Sequence, residues 1–508
     1  MTHEKDLAGL GARGGVHAIR EDRSKRGARA VAPSPTVSRS VFNEIVDLEA
    51  GSKVGSDEEA EIVADALQGR RELDRGDHAE VAGLLASAME KRSKAPLVFD
   101  RDALWRYQPD AGRWGTVDKE QVTRLVGRFA GTPIRTSEGE KQGAKEFKGT
   151  APNAEGVCKY LRSHPREGCG PGFFDDAPAG VAVANGFLTI DAERIELRTH
   201  EWDHRVRDRV TIGFDENAAA PAWRRALEEW FEGDSDATEK IAFLQEFVGA
   251  CLFGLATRYQ RCAVLLGEGA NGKSVFIEVV SELFPKGGVT AIPPHDFESE
   301  RMGAGLDRSR LNAVTEVPAK AILASEGFKA AVSGDAMTRR RAYKDEITFK
   351  PRAGHLFAAN RLPVVSDTSE GFWRRLLLVS FNRKFEGEQR DNTLAERIRR
   401  DELPGVLAWA VEGVGRLIRQ GGYTEPQSTK RELAEWRRES NPVELWLEAC
   451  CEREGWTNAT ALYQHYQRWA TDNGFKPCLI REFGQRLKPI LGHRKNSKNE
   501  YAARIRYP

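Results

Sequence analysis

Apolar positions along the chain recur in two rhythms, and the switch between them divides it. From Pro96 the rhythm is short and alternating: Leu97-Val98-Phe99-Asp100, Leu104-Trp105-Arg106-Tyr107 and Gly112-Arg113-Trp114 read as brief strands, with Pro109-Asp110-Ala111-Gly112 as a turn. The same texture runs through Val181 to Ile190 and closes near Pro221. Trp223 to Phe231 and Thr238 to Leu255 then space apolar residues by three and four, the helical interval. From Arg261 to Phe381, continuous apolar runs alternate with helical stretches. Ala263 to Leu266, Leu311 to Thr315, His355 to Ala359 and Leu376 to Phe381 predict strands buried on both faces, hence a parallel sheet covered by helices. After Pro404 the pattern is helical over Gly405 to Gln420. Val443 to Glu452, Ala459 to Asn473 and Ile480 to Leu487 predict three more helices ahead of a hairpin around Lys498-Asn499, the order of a winged-helix module.

Residues 1–75 follow neither rhythm. They are rich in Gly, Ala, Arg, Ser and acids and poor in aromatics, so they bury too little apolar surface to order fully. The expected organisation is a disordered or partly helical tail over 1–75 and a small α+β domain over 76–220. An α/β motor with a helical lead-in follows over 221–400, then a helical, winged-helix-like DNA-binding domain over 401–508. Short helices at Ser40 to Leu48 and Glu58 to Leu67 are compatible with the tail. A length of 508 residues accommodates three or four such units.

Charge and cysteine usage narrow the chemistry. The net charge of +1 carries no global nucleic-acid signature, so any basic surface is local. One lies in the last 28 residues, where eight basic residues face two glutamates. The seven cysteines are odd in number, scattered, and lack a Cys-x-x-Cys pair, which argues against a zinc site and a disulfide framework. No run approaches the roughly 20 apolar residues of a membrane span, and the first residues lack a signal-peptide core, so a cytoplasmic protein is expected.

The chemistry concentrates after Ala263-Val264-Leu265-Leu266. That strand runs into Gly267-Glu268-Gly269-Ala270-Asn271-Gly272-Lys273-Ser274 and then into a helical stretch, the order a phosphate-binding loop requires. Glycines let backbone amides converge on phosphate oxygens at a helix N-terminus. Lys273 is placed to neutralise the β and γ phosphates of ATP, and Ser274 to hold Mg2+. The next strand leads to Glu316, a candidate for the metal and for orienting the attacking water, although Thr315 stands where a second acid would be expected. The third leads to Asn360, whose amide could touch the γ phosphate. Arg374 and Arg375, ahead of the last strand, could neutralise charge on a nucleotide held by a neighbouring subunit. Each of these residues taken singly is a common surface residue; their order after the glycine loop gives them weight. Between Glu316 and Asn360, Thr338 to Lys350 reads as two short strands folded about Lys344-Asp345. Arg339, Arg340, Tyr343 and Lys344 there suit DNA phosphates and a stacked base.

This series, with Val332-Ser333-Gly334-Asp335, Ala359-Asn360-Arg361-Leu362-Pro363 and Phe372-Trp373-Arg374-Arg375, resembles the superfamily 3 helicases, specifically the helicase part of phage and plasmid primase-helicases. Upstream, Ala184-Asn185-Gly186-Phe187-Leu188-Thr189-Ile190-Asp191 and Leu244-Gln245-Glu246-Phe247-Val248-Gly249 look like the domain that precedes the motor in such proteins, so the resemblance covers roughly residues 95–400. It implies an AAA+-like ATPase and a homo-oligomeric ring, a hexamer, threading one DNA strand and translocating 3′ to 5′ in replication of a mobile element. It also implies Lys344 at the hairpin tip and Arg374 or Arg375 as the trans-acting finger.

Primer synthesis needs carboxylates holding two metals, and Asp100-x-Asp102 has that local form. About 20 residues of ordered chain precede it, too few for a polymerase fold, so a separate primase is the expected partner. Two rivals share the glycine loop: another P-loop motor for DNA packaging or initiator loading, and a replication initiator that uses ATP for assembly and binds duplex DNA through its basic C-terminal segment.

Overall fold

The computed structural model describes residues 57–135, 145–163, 166–191, 194–317, 326–340, 346–362, 365, 369–475, 477–495 and 499–506. Among them no helix is long and apolar enough to cross a membrane. The chain divides at residue 58, and the body from Glu59 onward holds three modules and the motor cleft.

The first module is built around a three-stranded antiparallel sheet, Val98–Asp100, Ala103–Gln108 and Arg113–Val117. Strand alternation gives the sheet two different faces. Leu104 and Val117 join the helices His78–Ser93, Lys119–Gly127 and Ala151–Ser163 in one core, while Trp105, Tyr107 and Trp114 pack with Phe173 and Phe174 in another. The packing begins before residue 76: the helix spanning 57–66 buries Ile62 and Val63 in the first of these cores, and Leu73 bridges to Ile134.

The motor holds five parallel strands. In chain order they are β1 (Cys262–Leu266), β2 (Val289–Thr290), β3 (Leu311–Val314), β4 (Gly354–Ala359) and β5 (Leu376–Ser380). In space the order is β2-β3-β4-β1-β5. Both faces are covered, which explains the unbroken apolar runs. Ala263, Leu265, Ala313, Leu356 and Val379 point into one core, and Cys262, Val264, Val314, Phe357 and Leu378 into the other. The short β2 is tied in by buried Asn312, which accepts from the Ile292 amide at 2.7 Å and donates to its carbonyl at 2.9 Å.

Five helices frame the sheet: α1 (Pro221–Trp230), α2 (Ala237–Leu252), α3 (Lys273–Ser281), α4 (Leu394–Asp401) and α5 (Leu403–Gln420). Helices α2 and α5 lie against each other where both carry glycine. A Cβ at Gly249 would overlap the Ala410 carbonyl, and one at Gly413 the Gln245 carbonyl. Fully buried Glu246 fastens the pair, accepting from Arg416 Nε at 2.7 Å and from the Thr424 amide at 2.7 Å. Packing therefore divides the chain differently from composition. Helix α5 and the helix Gln427–Glu439, through Trp436, belong with the motor cores rather than with a domain starting at 401. Val181, Val183 and Leu188 of the three-stranded sheet over 180–198 also join the motor core rather than the first module.

The last module has its own core of Val443, Trp446, Leu462, Tyr466, Phe483 and Tyr501. Its helices Pro442–Cys450, Ala459–Asp472 and Ile480–Leu487 stand close to the ranges expected from spacing. Antiparallel pairs join Glu500–Tyr501 to both His493–Arg494 and Thr457–Asn458. Lys498, expected at the hairpin tip, lies outside the described residues.

Candidate functional site

Strand β1 ends at Leu266 and the chain turns at once through the glycine loop into α3. The Gly267 amide donates to the Ala359 carbonyl at 3.2 Å, so the loop starts beside the end of β4. Gly269 (φ 107°), Ala270 (φ 48°) and Gly272 (φ 96°) take left-handed backbone, and a Cβ at Gly272 would overlap the Trp230 indole nitrogen. Asn271 Nδ2 anchors the loop to the Phe381 carbonyl at 3.2 Å. Lys273 is folded back, donating to the Gly267 carbonyl at 2.5 Å and to Asn271 Oδ1 at 3.1 Å. Burial lowers its pKa from the ordinary lysine value. Gly272 caps α3 without a side chain, so the first amides of the helix are left for an external acceptor.

Around this loop lies a cleft of about 580 Å³, lined by Gly269 to Ser274 together with Thr315, Glu316 and Asn360. Strands β1, β4 and β3 are neighbours, so residues far apart in sequence meet at the C-terminal ends of the three central strands. Thr315 and Glu316 lie just past the end of β3, exposed, and Asn360 just past the end of β4, also exposed. Among the described residues no cluster of three or more His, Cys, Asp or Glu forms a metal cage. Beside the glycine loop the Ser274 and Thr315 hydroxyls and the Glu316 carboxylate offer oxygens suited to a hard cation that shares its shell with phosphate and water.

The two arginines before β5 are not equivalent. Arg375 is buried and donates from Nε and Nη2 to Ser333 Oγ at 3.2 and 2.6 Å. Arg374 is exposed, and its guanidinium has no hydrogen bond or ion pair among the described residues. Neither lines the cleft of its own chain.

The basic hairpin exists as Met337–Arg340 paired with Glu346–Phe349. Arg339 turns inward, donating from Nη2 to the Phe297 carbonyl at 2.9 Å, while Arg340 is exposed. Tyr343 and Lys344 lie outside the described residues. Asp100 serves structure: it is buried, accepts from the Gly172 and Phe174 amides, and pairs with Arg101 at 2.6 Å. Asp102 sits in a left-handed turn position (φ 58°), exposed.

Sequence reasoning missed the far wall of the cleft. Arg390, Asp391 and Arg397 line it from the segment after β5 and from α4, with Arg397 Nη2 3.0 Å from Asp391 Oδ2. Helix α4 buries Ala395 and Ile398 and pairs Arg399 with Glu278 of α3, while Arg397 stays exposed; a single exposed arginine carries no sequence signal for the cleft.

Two segments of the chain match known families. Residues 86–232 match a family described as D5 N terminal like, and residues 265–375 match a family of unknown function, DUF5906. A protein of Acanthamoeba polyphaga mimivirus named "Putative helicase L207/L206" is 23% identical over 289 residues, which is 51% of this chain and 29% of that protein. The chain thus corresponds to under a third of that relative's length. Among solved structures, an apo form of the NrS-1 C terminal region is 11% identical with a TM-score of 0.46, covering 80% of this chain and 96% of that one. A second structure of the same region covers 81% and 96%, with a TM-score of 0.40.

Proposed function

We propose that this chain is the ATP-driven motor of a DNA helicase acting in replication of a phage, plasmid or other mobile element. One observation carries the reading: the glycine loop, Glu316 and Asn360 leave three adjacent parallel strands and line a single cleft. The similarity to a viral protein named as a helicase, and to the D5 N terminal like family, supports the same reading.

ATP with Mg2+ would supply a transferable γ phosphate and shield its charge. Lys273 and the uncapped amides of α3 would bind the phosphates, with Gly267, Gly269, Ala270, Asn271 and Gly272 shaping the backbone around them. Ser274 and Glu316 would hold the metal, with Thr315 in the place of a second acid. Glu316 would also orient the attacking water, and Asn360 would sense the γ phosphate. Arg374 suits the role of finger toward a neighbouring subunit, because it is exposed and outside its own chain's cleft. The ring, the 3′ to 5′ direction and a grip on DNA by Arg340, Tyr343 and Lys344 belong to the same proposal, as does a separate primase.

A 3′-tailed duplex provides the test. Wild type should hydrolyse ATP and displace the strand, and Lys273→Ala should do neither; hydrolysis surviving in Lys273→Ala would sink the proposal. A second reading, an initiator that uses ATP for assembly, is favoured by the basic C-terminal segment. It expects ATP-dependent duplex binding without displacement.

A further inference from the structure

A second cavity lies at the opposite ends of the motor strands. Arg310 immediately precedes β3 and Arg352 stands two residues before β4, so both sit at the strand ends remote from Glu316 and Asn360. Arg207 reaches the same place from the segment that follows the sheet over 180–198. The cavity measures about 70 Å³ and shares no lining residue with the nucleotide cleft.

Its charges do not balance. Five arginines line it against two aspartates, Asp208 and Asp307. Asp307 is already engaged: Arg101 Nε donates to its Oδ1 at 2.7 Å, and Arg207 Nη1 approaches its Oδ2 at 3.5 Å. Arg352 Nη1 donates to the Ala177 carbonyl at 3.0 Å. Arg310 is different. Its guanidinium has no hydrogen bond or ion pair among the described residues, and its Nη1 is sealed from solvent. Gly254 (φ 66°) makes room for this arrangement, because a Cβ there would overlap Arg310 Nη1 and lie 3.2 Å from Arg352 Nε. Two guanidinium groups are thus crowded over one glycine. Burial, with the Arg352 charge adding to it, pulls the Arg310 guanidinium down to about 9, and burial pulls Arg207 down to about 10.

Arg310 is half-buried, but shutting its Nη1 away from water without a partner is unfavourable, and like charges crowd together only where something offsets them. We propose that this cavity is a site for a phosphate-class oxyanion, held by Arg207, Arg310 and Arg352. Planar guanidinium forks match tetrahedral oxyanions in bidentate fashion. The volume admits an ion of a few heavy atoms and excludes a nucleotide. The bound ion joins the segment carrying Arg207 to the starts of β3 and β4, and so stiffens the seam between that segment and the motor.

Thermal unfolding of the full chain tests this, with inorganic phosphate titrated against sodium chloride at matched ionic strength. Wild type is expected to show a rise in Tm that grows with the logarithm of phosphate concentration and reaches about 3 °C or more once phosphate exceeds its Kd by about 100-fold. Arg310→Met should lose that rise, Arg310→Lys should recover part of it, and Lys273→Ala should keep it, which separates this site from the nucleotide cleft. In phosphate-free buffer Arg310→Met should unfold no lower than wild type, since it removes a half-buried cation with no partner at Nη1. If Arg310→Met fails to fold, calorimetric titration of wild type and Lys273→Ala with phosphate decides. Stabilisation by phosphate identifies a free oxyanion, and stabilisation only by a 5′-phosphorylated oligonucleotide identifies a nucleic-acid end. A wild-type Tm that responds to neither, or a response shared equally by Arg310→Met, overturns the proposal.

Discussion

The Lys273 ammonium donates to the carbonyl oxygen of Gly267, so the glycine loop closes on its own cation. On the proposed reading an incoming phosphate would take over that hydrogen bond rather than recruit a distant charge. Lys273→Met keeps the apolar stem and removes the donor. It should leave unfolding unchanged within about 1 kcal/mol and weaken nucleotide binding by about 100-fold or more, as read by titration with a fluorescent ATP analogue.

Gly272→Ala tests the loop backbone. At φ 96° an L side chain is strained, and here its Cβ also meets the Trp230 indole. A loss of about 2 to 4 kcal/mol is expected from the two effects together. Gly269→Ala, at φ 107° with open space around it, should cost about 1 to 2 kcal/mol. Urea unfolding of the two variants provides the comparison.

Arg374 and Arg375 should separate function from stability. Arg375→Ala leaves Ser333 without its partner and opens space in a buried site, for an expected loss of about 1 to 3 kcal/mol. Arg374→Ala should unfold like wild type yet lose hydrolysis. Mixing Arg374→Ala with Lys273→Ala chains should restore part of it, because one intact composite site then forms between subunits. Absence of any recovery would remove Arg374 from a shared site.

His355 on β4 is buried between the rings of Phe297 and Phe357, and burial holds its imidazole down at about 4, with the backbone at Ala331 opposing the shift. The folded pKa lies below the unfolded one, so the group has no effect on stability at pH 7, where both states are neutral. As pH falls below about 6.5 the unfolded chain takes up a proton that the folded chain refuses, and stability drops until about pH 4. Between pH 7 and 5 this group alone should account for about 2 kcal/mol. Denaturant unfolding of wild type and His355→Phe at both pH values should show the variant losing correspondingly less.

The long motor strands were legible in the sequence because burial on both faces makes each an unbroken apolar run, and β1, β3, β4 and β5 fall within a residue or two of the stretches read that way. Strand β2 was not, since two residues, Val289 and Thr290, carry no periodicity and owe their place to Asn312. The side of the cleft made by the loop, Glu316 and Asn360 was readable because each follows a strand end. Arg390 and Arg397 were not readable, because their segment reaches the cleft by packing α4 against α3 and α1, which no local pattern announces. Arg207, Arg310 and Arg352 look in sequence like three ordinary solvated charges; only the fold brings them together. Domain edges are hidden for a related reason: α5 is amphipathic wherever it packs, and its core contacts, its glycine approach to α2 and the Arg416–Glu246 pair assign it to the motor.

The hydrogen-bonded ladder that runs from β3 through β4 to β1 has a mechanical consequence. Glu316, Asn360 and the glycine loop hang from three neighbouring strands whose spacing is set by backbone bonds, so they move as one rigid plate. Cleft geometry can then change more readily from the walls outside that ladder, α1 and the segment bearing Arg390 and Arg397. Any stroke produced at this site would be transmitted by α1 or α4 swinging against a stationary sheet.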